Sequence, residues 1–77
     1  MIDEYRLSDM PCAAFLTYND FVLKSIEGDG QRREFVFAKK RDVDIDNIVS
    51  KFQRREALVE PNRFFMELKN IKHRLRF

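Results

Sequence analysis

The chain has 77 residues, one cysteine and a net charge of +2, which leaves room for a single domain and excludes an intramolecular disulfide. Apolar residues make up 44% and charged residues 36%, the balance of a globular domain and not of a disordered tail. No apolar run approaches the roughly 20 residues of a membrane span, and no basic start followed by an apolar run marks a signal peptide.

A domain this short buries little surface, so each large apolar side chain counts. Eight Phe and two Tyr supply most of that material. A small secreted domain would need covalent staples, so the reducing cytoplasm is the expected location.

Residues 5–7 read as a short extended segment able to add a third strand to a hairpin. Residues 8–19 read as the first helix. Ser8 is positioned to cap it, Asp9 suits its positive end, and Pro11 is tolerated in a first turn whose amides lack helical partners. Met10, Ala13, Ala14, Thr17 and Tyr18 form its packing stripe. Asn19 is expected to stop it in the left-handed conformation.

Residues 21–27 and 33–39 read as two strands, with Phe21, Leu23, Phe35 and Phe37 at period two. Gly28, Asp29, Gly30 and Gln31 lie between them, and Asp-Gly favours a tight turn needing positive φ. Val22 and Val36 alternate with the Phe positions. The hairpin's second face is therefore partly apolar, which makes a homodimer one expected assembly.

Asp42 or Asp44 is expected to cap a second helix. Ile45, Ile48, Val49 and Phe52 fall at offsets of three, four and seven, the amphipathic signature, and the helix ends near Arg55. Residues 57–60 read as an extended connection. Pro61 opens a third helix, whose core stripe is Phe64, Leu68, Ile71 and Leu75. The chain is thus expected to be one α+β domain, a β-hairpin packed against three helices in the order α-β-β-α-α. Its expected core is Met10, Ala14, Phe21, Leu23, Phe35, Phe37, Ile48, Phe52, Phe64, Leu68 and Ile71.

Catalytic chemistry finds little support. Nucleophilic catalysis needs a nucleophile with a base in reach, and the chain offers one Cys and one His, Cys12 and His73. Cys12 falls among Ala13, Ala14 and Phe15 on an apolar helix, as a packing residue. His73 lies between Lys72 and Arg74, as a surface residue. A zinc site needs about four ligands at suitable spacing, which the chain lacks. Asp42, Asp44 and Asp46 alternate as in a calcium loop, but the required glycine and distal glutamate are missing. Gly28 and Gly30 lack the downstream residues of a phosphate loop. A non-enzymatic protein without cofactor or metal is expected.

The surface with most chemical content lies on the third helix. At about 100° per residue, Lys72, His73, Arg76, Phe65 and Met66 all fall within about 60° of Lys69, beside the core stripe. Basic side chains interleaved with an aromatic suit phosphate contact plus base stacking. The same face also suits a protein-binding or dimer patch, or a Phe65 that only widens the core under lysine stems. A second basic cluster, Lys39, Lys40 and Arg41, follows the hairpin. It either joins the helical face or guards a sheet edge. Charge is also unevenly spread along the chain. The first thirty residues carry six acids and two bases, and the last seventeen carry five bases and one acid, so the surface carries two signs.

Tyr5-Arg6-Leu7-Ser8-Asp9, Ala13-Ala14-Phe15-Leu16, Phe35-Val36-Phe37 and Pro61-Asn62-Arg63-Phe64-Phe65 with Leu68-Lys69 follow one another in order. In this the chain resembles a family of small uncharacterised bacterial and phage domains. Members of that family read Tyr-Arg-Thr-Asp near the start, then paired alanines, a Phe-x-Phe hairpin and a late Pro-x-x-Phe-Phe helix. This chain departs from it with Leu7-Ser8 at the threonine position and Asn19-Asp20 where a glycine often ends the first helix. The resemblance implies a phage or mobile-element setting and carries over no activity and no site residue. The expected role is a small accessory protein that binds nucleic acid through its basic C-terminal helix, with a host or phage protein as the alternative partner.

Overall fold

A computed structural model of the chain describes residues 4–28 and 32–75. The elements run β1 (Glu4–Leu7), α1 (Met10–Tyr18), β2 (Leu23–Glu27), β3 (Glu34–Ala38), α2 (Ile45–Gln53) and α3 (Pro61–Arg74). The expected α+β order α-β-β-α-α holds, preceded by β1 as the third strand of the sheet.

The sheet order is β1-β3-β2, with both outer strands antiparallel to β3. β1 and β2 are therefore parallel to each other, and α1 connects them across the inserted β3. The register places Tyr5 opposite Phe37 and Leu7 opposite Phe35, with Arg6 opposite Val36. On the other side of β3, Leu23 lies opposite Phe37 and Ser25 opposite Val36. Lys24 is thus an extra residue, a β-bulge. Beyond it the inward positions change parity, and Ile26 comes to lie opposite Phe35. β2 starts at Leu23 and not at residue 21, since Asp20 takes a positive φ of 69° and Phe21 N–H donates back to Leu16 O of α1. Phe21 is still buried.

One sheet face carries the core. Phe35 and Phe37 join Cys12, Ala13, Ala14 and Leu16 of α1, Ile45 and Val49 of α2, Ile71 of α3 and Phe21 in one buried cluster. Met10, Leu23, Ile48, Phe52, Phe64 and Leu68 pack around it half-buried. Every expected core residue therefore contributes. Deleting the fully buried Phe37 ring costs about 3–5 kcal/mol on the usual scale for large core truncations.

α1 differs from the expected single stripe, since Cys12 to Leu16 are all buried in succession. The helix sits between the sheet and the other two helices, so no side of it faces water over that stretch. Ala13 and Ala14 permit the close approach. Phe15 lies against Phe52 of α2, with ring centroids 5.3 Å apart.

The opposite sheet face is charged and is roofed by ion pairs. Arg6 Nη1 donates to Glu27 Oε1 at 2.6 Å and lies 3.5 Å from Glu34 Oε1, while Arg6 Nη2 lies 3.4 Å from Glu4. Lys24 Nζ donates to Glu4 Oε2 at 2.7 Å. Beneath this roof Val36 is only 1% exposed, so the face expected to be open there is already covered. Val22 is exposed.

The helix ends follow local rules with two corrections. Asp9, not Ser8, is the N-cap of α1, and it makes no side-chain cap. The left-handed residue after α1 is Asp20, while Asn19 has φ −91°. Asp20 N–H donates to Thr17 O and Phe21 N–H to Leu16 O, the paired bonds of a Schellman stop. α2 ends the same way at Gln53. Arg55 has φ 62°, with Arg55 N–H donating to Phe52 O and Glu56 N–H to Lys51 O. Asp44 caps α2 by accepting from Asn47 N–H. Glu60 caps α3 by accepting from the N–H groups of Asn62 and Arg63. Gly28 has φ 85°, and the expected Asp29-Gly30-Gln31 turn lies outside the described residues.

Candidate nucleic-acid interface

α3 turns Phe64, Leu68 and Ile71 into the core and its other side to water. Phe65 follows Phe64 by about 100° of helix rotation, so it leaves the core. It is 59% exposed, and its neighbour Met66 is 55% exposed. Phe65 therefore does not widen the core. Lys69, Lys72 and His73 are exposed as well.

Met66, Lys69, Asn70, Lys72 and His73 line one shallow depression on this helix. Asn70 was not anticipated, although its place four residues after Met66 carries the signal. Phe65 stands four residues before Lys69, at its flank. Arg76 lies outside the described residues.

Several other basic side chains are differently employed. On the sheet, Arg6 and Lys24 are neutralised by Glu4, Glu27 and Glu34. Arg63 donates to Tyr18 O at 3.3 Å and lies over the Tyr18 ring at 4.6 Å. Lys40 Nζ donates to Asn19 O at 3.5 Å and lies over the Phe21 ring at 4.6 Å. Arg74 donates to Leu23 O at 3.4 Å. These three cations hold the segment that joins α1 to β2 and satisfy carbonyls there. Tyr18 adds to the junction, because its Oη accepts from Glu60 N–H at 2.9 Å.

Among the described residues, Lys69 and Lys72 make no ion pair. Lys39 and Arg41 are exposed and are not among the described residues that line the α3 depression. The face thus comprises Phe65, Met66, Lys69, Asn70, Lys72 and His73.

Cys12 is 1% exposed, and burial pushes its thiol up to about 11, with Asp9 adding to the shift. The thiol packs in the buried core beside Ala13, Ala14 and Leu16. Among the described residues no three His, Cys, Asp or Glu side chains converge as metal ligands, and no helix is long and apolar enough to cross a membrane.

A small α+β domain with helices on one face of a three-stranded antiparallel sheet, and a basic, partly apolar surface on its last helix, is the class these features define. The chain belongs to the family described as a domain of unknown function (DUF5659), which it matches over residues 2–77. No curated protein matches it, and no solved structure does.

Proposed function

We propose that this protein is a non-enzymatic cytoplasmic accessory factor of a phage or mobile element that binds nucleic acid through α3. One observation carries the reading: Lys69 and Lys72 are exposed without ion pairs beside an exposed Phe65, while the sheet's bases are matched by acids. Cations left unmatched beside an aromatic suit a polyanion that also offers rings. The phage or mobile-element setting rests on the resemblance to small bacterial and phage domains alone.

Fluorescence anisotropy of labelled DNA and RNA, titrated with the protein at two salt concentrations, tests the reading. Saturable binding that weakens as salt is raised is expected. No binding at low salt overturns it.

A second reading, docking of a host or phage protein or of a second copy, is favoured by the exposure of Leu58, which is 92% accessible just before α3. Binding through Leu58, Phe65 and Met66 would survive high salt, because apolar burial is not screened.

A further inference from the structure

We infer that the α3 face selects single-stranded over duplex nucleic acid, an inference that rests on the nucleic-acid reading above. Three observations lead there. The first is the state of Phe65. Among the described residues its ring is exposed and takes no part in the aromatic contacts that occupy Phe15, Tyr18 and Phe64. An exposed ring beside lysines can stack on an unpaired base, whereas in a duplex the base faces are already stacked on one another.

The second is the small number of cations among the described residues of the face. Arg63, Arg74 and Lys40 are committed to carbonyls of the α1–β2 segment, so Lys69 and Lys72 are the cations without ion pairs within the described face. Lys69 and Lys72 by themselves contribute a salt slope of about −1.4 on a single strand. So weak an electrostatic grip needs a second source of affinity, and stacking supplies it.

The third is shape. The face is a shallow depression along one helix. Phe65 and Lys72 lie seven residues apart, about 10 Å along the axis at 1.5 Å per residue. A flexible strand can place a base on Phe65 and phosphates on Lys69 and Lys72 at once.

The chain contains no tryptophan, so Phe65→Trp places a single reporter at the stacking position. The test titrates wild type, Phe65→Trp and Phe65→Leu with oligothymidylate and oligouridylate of about eight nucleotides, a length within the usual single-strand site sizes, and with a duplex of equal length. Single strands are expected to bind wild type at least about tenfold more tightly than the duplex and to quench the Trp emission of Phe65→Trp. Phe65→Leu is expected to lose about five-fold or more in single-strand affinity, the low end of a lost base stack. Comparison of the two oligonucleotides distinguishes DNA from RNA as the source. Duplex binding as tight as single-strand binding, or a Phe65→Leu variant with unchanged single-strand affinity, overturns this inference and leaves the nucleic-acid reading standing. Absence of binding to all three probes overturns both.

Discussion

Arg6 on β1 donates to Glu27 on β2 at 2.6 Å, although the two strands share no backbone ladder and β3 lies between them. The pair crosses above Val36, which faces Arg6 in the register. Removing Arg6 would uncover Val36 and leave Glu4, Glu27 and Glu34 repelling one another. Arg6→Ala is therefore expected to lower the urea unfolding midpoint at low salt. At about 1 M salt, where the screening length falls to about 3 Å, the repulsive part of the difference should fade and a gap from lost cover should persist. An unchanged midpoint at low salt would contradict this role.

The same network sets an acid limit. A hydrogen bond from Lys24 holds the Glu4 carboxyl below its ordinary value of 4.5, aided by the nearby Lys24 and Arg6 charges. A carboxyl depressed by folding contributes its stabilisation in full above the unfolded value and loses it as pH falls through the folded one. Stability is expected to decline as pH drops below about 4.5, and Glu4→Gln should decline less steeply. Urea midpoints across that range check the sign. A steeper decline in the Gln variant would refute it.

Asp20 and Arg55 both occupy left-handed positions that helix stops usually assign to glycine. The left-handed conformation costs an L-residue roughly 1–2 kcal/mol, and glycine returns part of that gain through its freer unfolded chain. Asp20→Gly and Arg55→Gly are each expected to stabilise by about 0.5–1 kcal/mol. Thermal unfolding measures this, and a lower midpoint in both variants would contradict the Schellman assignment.

Gly28 shows the reverse case. A Cβ there would stand 2.0 Å from Arg32 O, at a φ of 85°. Gly28→Ala is expected to destabilise by about 1–3 kcal/mol, the cost of a backbone forced from its well. Chemical denaturation provides the number. Wild-type stability in the variant would mean that this contact does not constrain the hairpin.

Periodicity made most of this fold legible. Phe35 and Phe37 and the Phe64–Leu68–Ile71 stripe all face the core that their spacing implies. Three features escaped because they depend on tertiary surroundings. α1 reads as a stripe, but Phe15 and Leu16 are buried because neighbours surround the helix. Lys24 is an ordinary strand residue in sequence, and only pairing with β3 makes it a bulge that brings Ile26 inward. Val36 looks like an open-face residue until the Arg6 network is seen above it. The basic face of α3 was legible since it follows from helical angle alone. The structural employment of Lys40, Arg63 and Arg74 was not, because their carbonyl partners on other elements are brought near only by folding.

The most direct test of the central claim is the charge-reversed variant Lys69→Glu/Lys72→Glu. Both positions are exposed, so circular dichroism should report an unchanged fold. Anisotropy titrations with labelled single-stranded DNA, RNA and duplex at low salt are predicted to show binding by wild type and its loss in the variant. Equal affinity of the two proteins for all three would contradict the assignment of nucleic-acid binding to α3.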